Sequence, residues 1–313
     1  MKPSEKTISL VSKHHYGRHA PAEAVGAILK QVSPMLRGAV LMAIQGRSRI
    51  KGSRPEWLSL ASDIRFCEIS GRDDTVLHFE VPTIGEAAPQ FYEQKQIWPT
   101  LPPPESTAFE ILSSMVKDIN AGERDSDRFD KPILSEVAGF HRILNGEFQE
   151  VVIDGKLHGE MTKINATTVR VSKELEFEVP ESREVMIVGR LDMIRHSTKG
   201  FEVCLDDGDR VRGVLLEGEM ESLSLLFNRE VLVRGLAFYR PSGKLLRVDA
   251  REISEGSSAP RIFSKVPPPL DRKSHTSALK IRQRPGTGVG AFFGTWPGDE
   301  TDEELLEALK KVG

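Results

Sequence analysis

The sequence is poor in cysteine, with Cys67 and Cys204 as its only two in 313 residues. They lie far apart in the chain, within segments predicted to be strands, and they do not form the paired spacing of a zinc site. This scarcity excludes a disulfide framework and a zinc ribbon. It predicts two buried free thiols, since an unpaired cysteine behaves as a small hydrophobic residue.

Long apolar runs are also missing, because no stretch approaches the roughly 18–20 consecutive apolar residues of a membrane span. Residues 1–13 are polar and lack the apolar core of a secretory signal. The composition, 39% hydrophobic and 28% charged, is ordinary for a globular protein. We therefore expect a cytoplasmic protein, long enough for two domains and a tail.

Common catalytic motifs are absent: there is no P-loop, Gly-x-Ser-x-Gly elbow, His-Glu-x-x-His or Rossmann glycine pattern. The glycine-rich residues 286–290 follow no predicted strand, and His14, His15 and His19 have no acidic companions nearby in sequence. Residues 125–130 lack the central glycine and terminal glutamate of an EF-hand loop, so we expect a solvated loop there. We expect no catalytic residue, no metal and no cofactor, and thus a protein that is not an enzyme.

Residues 180–254 give the clearest fold signal in the chain. A turn at Asp206-Asp207-Gly208-Asp209 favours a hairpin, because Asp-Gly tolerates positive φ. A helix with Met220 and Leu223 on one face then separates three strands from two. Alternating β-branched and aromatic residues predict the strands at 184–191, 200–205, 210–216, 229–239 and 244–253. The order β-β-β-α-β-β is that of a small, OB-like five-stranded β-barrel.

Residues 21–179 are predicted to form an α+β domain with four or more helices and a small sheet. Ser33-Pro34 reads as the capped start of a second helix, which separates it from a first helix at 21–31. Other helices are predicted at 107–119 and 131–144, and a hairpin is predicted across 64–81. Residues 1–20 are expected to be a flexible lead-in.

Three further strand-like segments, at residues 147–153, 166–171 and 175–179, lead towards the barrel. Their alternation is compatible with strands of the first domain or with extra strands around the barrel. The sequence leaves both arrangements open.

Charge is distributed unevenly: residues 1–55 hold ten Lys or Arg against two Glu, a balance of +8, and the remainder therefore sums to −11. Such a basic end is typical of a nucleic-acid footprint or of a solvated surface. In the nucleic-acid interpretation an OB-like barrel contributes cations for phosphates and aromatics for stacking. The candidate residues are Arg47, Arg49, Lys51, Arg54, Arg210, Arg212 and Tyr239, with Arg190, Arg195 and Arg234 as further barrel cations and Phe201 and Phe238 as further stacking candidates.

The C-terminal part changes composition. Residues 255–290 are predicted to be a basic, disordered linker, with seven Lys or Arg against two acids. Residues 291–313 combine an aromatic cluster with an acidic amphipathic helix, whose Thr301 and Glu304 match a capping box. A helix this short is marginal alone in water, so it must bury its apolar side chains against the protein's own body or a partner. These side chains are Phe292, Phe293, Trp296, Leu305, Leu306 and Leu309.

The pattern Phe-Phe-Gly-Thr-Trp-Pro-Gly-Asp-Glu-Thr-Asp-Glu-Glu-Leu-Leu in residues 291–313 resembles the toxin-binding tails of bacterial type II antitoxins, notably those that partner PIN-domain ribonucleases. The resemblance covers 23 of the 313 residues. It implies a non-catalytic regulatory protein whose tail engages a protein partner, such as a toxin. The alternative is a nucleic-acid-binding protein that uses the barrel and the basic N-terminal region; self-association is open in both cases.

Overall fold

The computed structural model describes residues 4–50, 52–92, 101–144, 146–155, 161–256 and 263–270. Within these residues the chain is α+β, with helices on a five-stranded sheet followed by a closed five-stranded barrel. The chain up to Leu270 forms one compact unit. The predicted tail helix lies outside the described residues.

The first strand of the chain is the centre of the sheet. Strand β1 pairs antiparallel with β3 on one side and with β4 on the other. The sheet has the order β2-β3-β1-β4-β5, formed by β1 (Ser4–Val11), β2 (Arg65–Ser70), β3 (Thr75–Val81), β4 (Glu150–Ile153) and β5 (Thr162–Asn165). The prediction of a flexible lead-in is therefore wrong for residues 4–11, whereas the predicted hairpin of β2 and β3 is confirmed.

The charge of Lys6 explains why the sequence did not predict strand β1. It points inward with Ile8 and Leu10, so the buried face of the strand begins with a charged residue and loses its apolar signature. The Lys6 ammonium pairs with the buried carboxylate of Glu110, which compensates for its removal from water.

The helices of the first domain pack with the sheet around one hydrophobic core. They are α1 (Ala22–Gln45), α2 (Glu56–Ala61), α3 (Ile84–Ala87), α4 (Ala108–Asn120), α5 (Lys131–Ala138), α6 (His141–Leu144) and α7 (Ala166–Glu178). Helix α1 is long and apolar enough to cross a membrane by length and composition, a test that core helices also pass. It buries eleven residues here, which accounts for its apolar character.

Helix α1 continues through Pro34, so the prediction of a new helix at Ser33 is wrong. Proline lacks the N–H that would bond back one turn, and this normally interrupts a helix. Here the buried face runs on through Val32, Met35 and Leu36, and its packing outweighs the lost bond. The Ser33 hydroxyl donates to the Leu29 carbonyl (3.1 Å) rather than capping a new helix.

Helix α7 replaces two predicted strands, because residues 166–178 are helical. Asn165 caps the helix, accepting from the backbone N–H groups of Thr167 (3.0 Å) and Thr168 (3.2 Å). The buried residues Thr168, Ser172 and Leu175 recur at helical spacing. β-Branched residues in this segment imitate a strand, yet α7 packs on α4 and α5 of the first domain.

The barrel has the element order predicted from the sequence. Its strands are β6 (Arg183–Arg195), β7 (Gly200–Cys204), β8 (Arg210–Leu215), β9 (Glu230–Tyr239) and β10 (Leu245–Glu255), with α8 (Met220–Ser224) between β8 and β9. They close in the order β10-β8-β7-β6-β9, and β8 with β10 is the parallel pair. The barrel has its own hydrophobic core, which begins at Val185, whereas the first core ends at Val179.

Residues 263–270 lie against the barrel. The Tyr239 hydroxyl donates to the Pro267 carbonyl (3.1 Å), Arg183 donates to the Pro268 carbonyl (3.0 Å), and Val266 packs on the barrel core. The prediction of a disordered linker is therefore wrong for these eight residues. It is also wrong for Glu255, the last residue of β10, and for Gly256, whose N–H donates to the Glu230 carbonyl (2.9 Å). The other residues of that linker, at 257–262 and 271–290, lie outside the described residues.

Both cysteines are free, but their burial differs from the prediction. Cys67 is exposed on β2, an edge strand of the sheet, and Cys204 at the end of β7 is partly buried. The prediction of two buried thiols is wrong for Cys67, because both faces of β2 are largely open to solvent.

Candidate functional site

A cleft with a volume of about 730 Å³ lies between the barrel and the first domain. On the barrel side it is lined by β7, β8 and the start of β10. On the other side it is lined by the C-terminal end of α1, the first half of α4 and the loop 101–103. Two structurally different walls thus face one space.

The barrel wall is cationic. Arg210 and Arg212 on β8 point outward, because Val211 and Gly213 between and beside them are buried in the barrel. The buried carboxylate of Glu202 on β7 accepts from Arg210 Nη1 (2.8 Å) and from Arg212 Nε (3.0 Å). This hydrogen bond from Arg210 raises the pKa of its guanidinium. A guanidinium has five N–H donors, so both arginines are held in place with donors left for a ligand.

Arg195 and Arg240 add positive charge to this cleft. Burial, and to a smaller extent the nearby Arg212, lower the pKa of Arg195. The Arg240 Nε atom is buried and has no hydrogen-bond partner among the described residues. An anionic ligand in the cleft would offset the crowding of positive charge around Arg195 and Arg212.

Arg247 joins the two domains at the edge of the cleft. Its guanidinium donates to Asp130 Oδ2 (3.3 Å) and to the Gly46 carbonyl (3.1 Å) across the interface, and to Asp249 Oδ1 (2.9 Å) on its own strand. It also lies over the Phe238 ring, 4.1 Å from the centroid. Asp130 in turn caps α5, so the expectation of a solvated loop at 125–130 is wrong for this residue.

The helical wall carries an apolar patch, formed by Ala43 at the end of α1, Ile111 on α4, and the loop residues Leu101, Pro102 and Pro103. The same wall also exposes the polar side chains of Gln45, Ser114, Asp127 and Arg128. Two charged groups of this wall are already paired. Glu110 binds Lys6, and Arg128 binds Asp118 (2.8 Å).

Arg195, Arg210 and Arg212 are the predicted nucleic-acid residues that the structure brings into the cleft. Arg49 lies elsewhere, exposed and paired with Glu136 (2.7 Å). Arg47 is half-buried, hydrogen-bonded to the Gln45 side chain, and has its pKa lowered chiefly by burial. Arg54 lies close enough to Arg37 to lower its pKa, a smaller effect than that of burial, and Lys51 is outside the described residues.

Tyr239 is misassigned by the sequence prediction. Its side chain is 2% exposed and belongs to the barrel core, where burial raises the pKa of the phenol. Phe201 is likewise buried, and Phe238 is covered by Arg247. These three rings are therefore not stacking platforms, since alternation along a strand does not reveal which face is inside.

Two residues of the site, Glu202 and Arg240, were not predicted from the sequence. Glu202 is one of the polar residues that alternate along a strand, and Arg240 stands at the turn that follows β9. Their roles depend on neighbours from other strands or from the other domain. The six predicted tail residues, Phe292, Phe293, Trp296, Leu305, Leu306 and Leu309, lie outside the described residues.

Metal chemistry and similarity to other proteins give no lead on function. Within the part of the chain that the structure describes, no three His, Cys, Asp or Glu residues form a group able to hold a metal ion. No known protein family, curated protein or solved structure matches this chain.

Proposed function

We propose that the protein is a non-catalytic nucleic-acid-binding protein, and that its interdomain cleft holds the ligand. The observation that carries the proposal is the cationic barrel wall, where Glu202 positions Arg210 and Arg212 beside Arg195. We propose that it acts in the cytoplasm.

The strand order supports an OB-like barrel. Strands β6, β7 and β8 form a meander, β8 pairs parallel with β10, and α8 lies between the third and fourth strands. Barrels of this type use the face of their second and third strands to bind oligonucleotides. In this chain those strands are β7 and β8, the ones that carry Glu202, Arg210 and Arg212.

The test of this proposal removes charge from the wall and keeps its hydrogen bonds. Replacing both Arg210 and Arg212 with Gln keeps an N–H donor at each position and removes two cations. Because the buried Glu202 carboxylate then lacks a cation, circular dichroism is used to check that the variant is folded. We expect weaker binding of a fluorescent homothymidine oligonucleotide. The magnitude of the slope of log K against log salt should decrease by about 1.4. This is about 0.7 for each of the two phosphate contacts that are lost on a single strand. Fluorescence anisotropy over a salt series measures both quantities.

The matched control is Arg234→Gln, which removes an exposed barrel arginine on β9 that pairs with Glu252 (3.5 Å) outside this cleft. Its salt slope should equal that of the parent. Equal losses in the control and the double variant would refute the assignment to this wall. Absence of binding by the parent protein at low salt would refute the function itself.

A second candidate function is supported by the sequence of the tail. We propose that residues 291–313 engage a protein partner, as an antitoxin-like neutraliser does, because their acidic amphipathic pattern requires an apolar groove. Trp296→Ala with Leu306→Ala should abolish nuclease-resistant partner capture and leave the melting temperature of the protein unchanged. Leu279→Ala, in the preceding linker, is the control. A large fall in melting temperature would instead show that these side chains stabilise the protein's own body.

A further inference from the structure

We infer that the first domain supplies the other half of the binding site, with phosphates on the β7–β8 wall and bases against the apolar helical wall. This rests on the nucleic-acid-binding function proposed above. It assigns a role to Ile111, Leu101 and Pro102, which lie outside the barrel and line the same cleft.

The helical wall is unsuited to phosphates. Lys6 neutralises Glu110, Asp118 neutralises Arg128, and the exposed Asp127 at the cleft lining would repel an anion. On the barrel side, Arg210 and Arg212 share the carboxylate of Glu202, and Arg210 also lies 3.8 Å from Asp192. Together with Arg195, these arginines still outnumber the acids beside them. A polyanion in the cleft must therefore place its backbone on the barrel side, because an unpaired phosphate gains nothing from an apolar surface.

The apolar wall is fixed before any ligand arrives. The Tyr92 hydroxyl donates to the Pro102 carbonyl (2.7 Å), Ser106 N–H donates to the Pro103 carbonyl (2.9 Å), and Gly85 N–H donates to the Pro104 carbonyl (2.8 Å). Burial raises the pKa of Tyr92 to about 12, so its hydroxyl keeps the donated proton at neutral pH. A wall that is already ordered loses little conformational entropy when a ligand covers it.

A single strand matches this asymmetry and a duplex does not. A single strand carries phosphates along one side and unpaired bases that can turn to the other. A duplex turns its phosphate backbones outward and would leave the apolar wall facing charge or water. The described lining offers no open aromatic ring, so the bases contact aliphatic groups, which distinguish poorly between them. The geometry points to a single-strand site with low sequence preference.

The experiment compares three probes of equal length: a homothymidine strand, an abasic strand with the same backbone, and a duplex. Leu101→Ala with Ile111→Ala should weaken binding of the homothymidine strand by about tenfold, which corresponds to about 1.4 kcal/mol. The same variant should bind the abasic strand as the parent does. The parent should prefer the homothymidine strand over both other probes.

Ile69→Ala is the matched control, because Ile69 packs against the same core from β2 and does not line the cleft. Ile111→Val, which keeps most of the packing, should give a smaller loss of the same kind and covers the case in which the double variant fails to fold. Equal losses for the homothymidine and abasic strands, or equal parental affinity for duplex and single strand, would overturn the base-facing wall and leave the cationic wall intact. Binding of no probe would remove the proposed function as well.

Discussion

Replacing Arg247 with methionine is expected to lower the free energy of unfolding by about 3–5 kcal/mol, the usual effect of removing one partner from a buried ion pair. Methionine fills a similar volume and cannot donate. The carboxylates of Asp130 and Asp249, both mostly buried, would lose their shared guanidinium, and the Gly46 carbonyl would lose a donor. Urea unfolding followed by circular dichroism measures the change.

Arg251 provides a control on the same strand. It pairs with Glu184 (2.5 Å), but both side chains are more than half exposed, so Arg251→Met should change stability by less than about 1 kcal/mol. Similar effects of the two substitutions would contradict the role of Arg247 as the interdomain link.

A related consequence concerns α5, since its capping residue Asp130 depends on an arginine from the barrel. The Arg247 variant should show faster amide exchange in α5.

Replacing Gly213 with alanine is expected to cost about 3 kcal/mol, at the upper end of the range for overpacking a core. A Cβ at this position would lie 2.5 Å from the Val248 carbonyl oxygen and closer still to the Phe201 ring. Gly213 pairs with both of these residues in the barrel, parallel to β10 and antiparallel to β7. Backbone on one side and a buried ring on the other leave no direction in which the methyl group can relax.

Gly26→Ala is the corresponding control in α1, where an added Cβ meets nothing within 4 Å. It should raise stability by up to about 1 kcal/mol, because alanine is the better helix former. Thermal melting of both variants measures the contrast. If Gly213→Ala were as stable as the parent, β8 and β10 would have to be farther apart than the structure places them.

The barrel was predictable because its signals are local. The turn around Gly208 and the alternation on each strand set the element order without information from elsewhere in the chain. Strand β1 and helix α7 were not predictable from the sequence, and the reasons are opposite. In β1 an inward lysine hides the alternation, and in α7 β-branched residues create an apparent one. The secondary structure of each segment depends on contacts with distant parts of the chain, which local propensity does not reflect.

The residues of the candidate site also fall into a predictable and an unpredictable group. Arg210 and Arg212 were predictable as outward cations on a strand, and the structure places both in the cleft. Arg247 belongs to the same kind of alternating pattern, yet it is buried, because Asp130 from a distant loop receives it. Tyr239 shows the converse. The sequence predicts equally well that an aromatic residue on a strand binds a ligand or that it belongs to the core, and only the structure shows that Tyr239 is buried.

The central position of β1 has a consequence for how the chain is made. Its two neighbours in the sheet are β3, which ends at Val81, and β4, which ends at Ile153. A ribosome adding about 5–20 residues per second must therefore work for about 7–28 seconds after β1 emerges before β4 can pair with it. During that time one edge of β1 stays open, with the apolar Ile8 and Leu10 beside it. Nascent chains arrested between β3 and β4 should accordingly be the ones that chaperones hold most strongly.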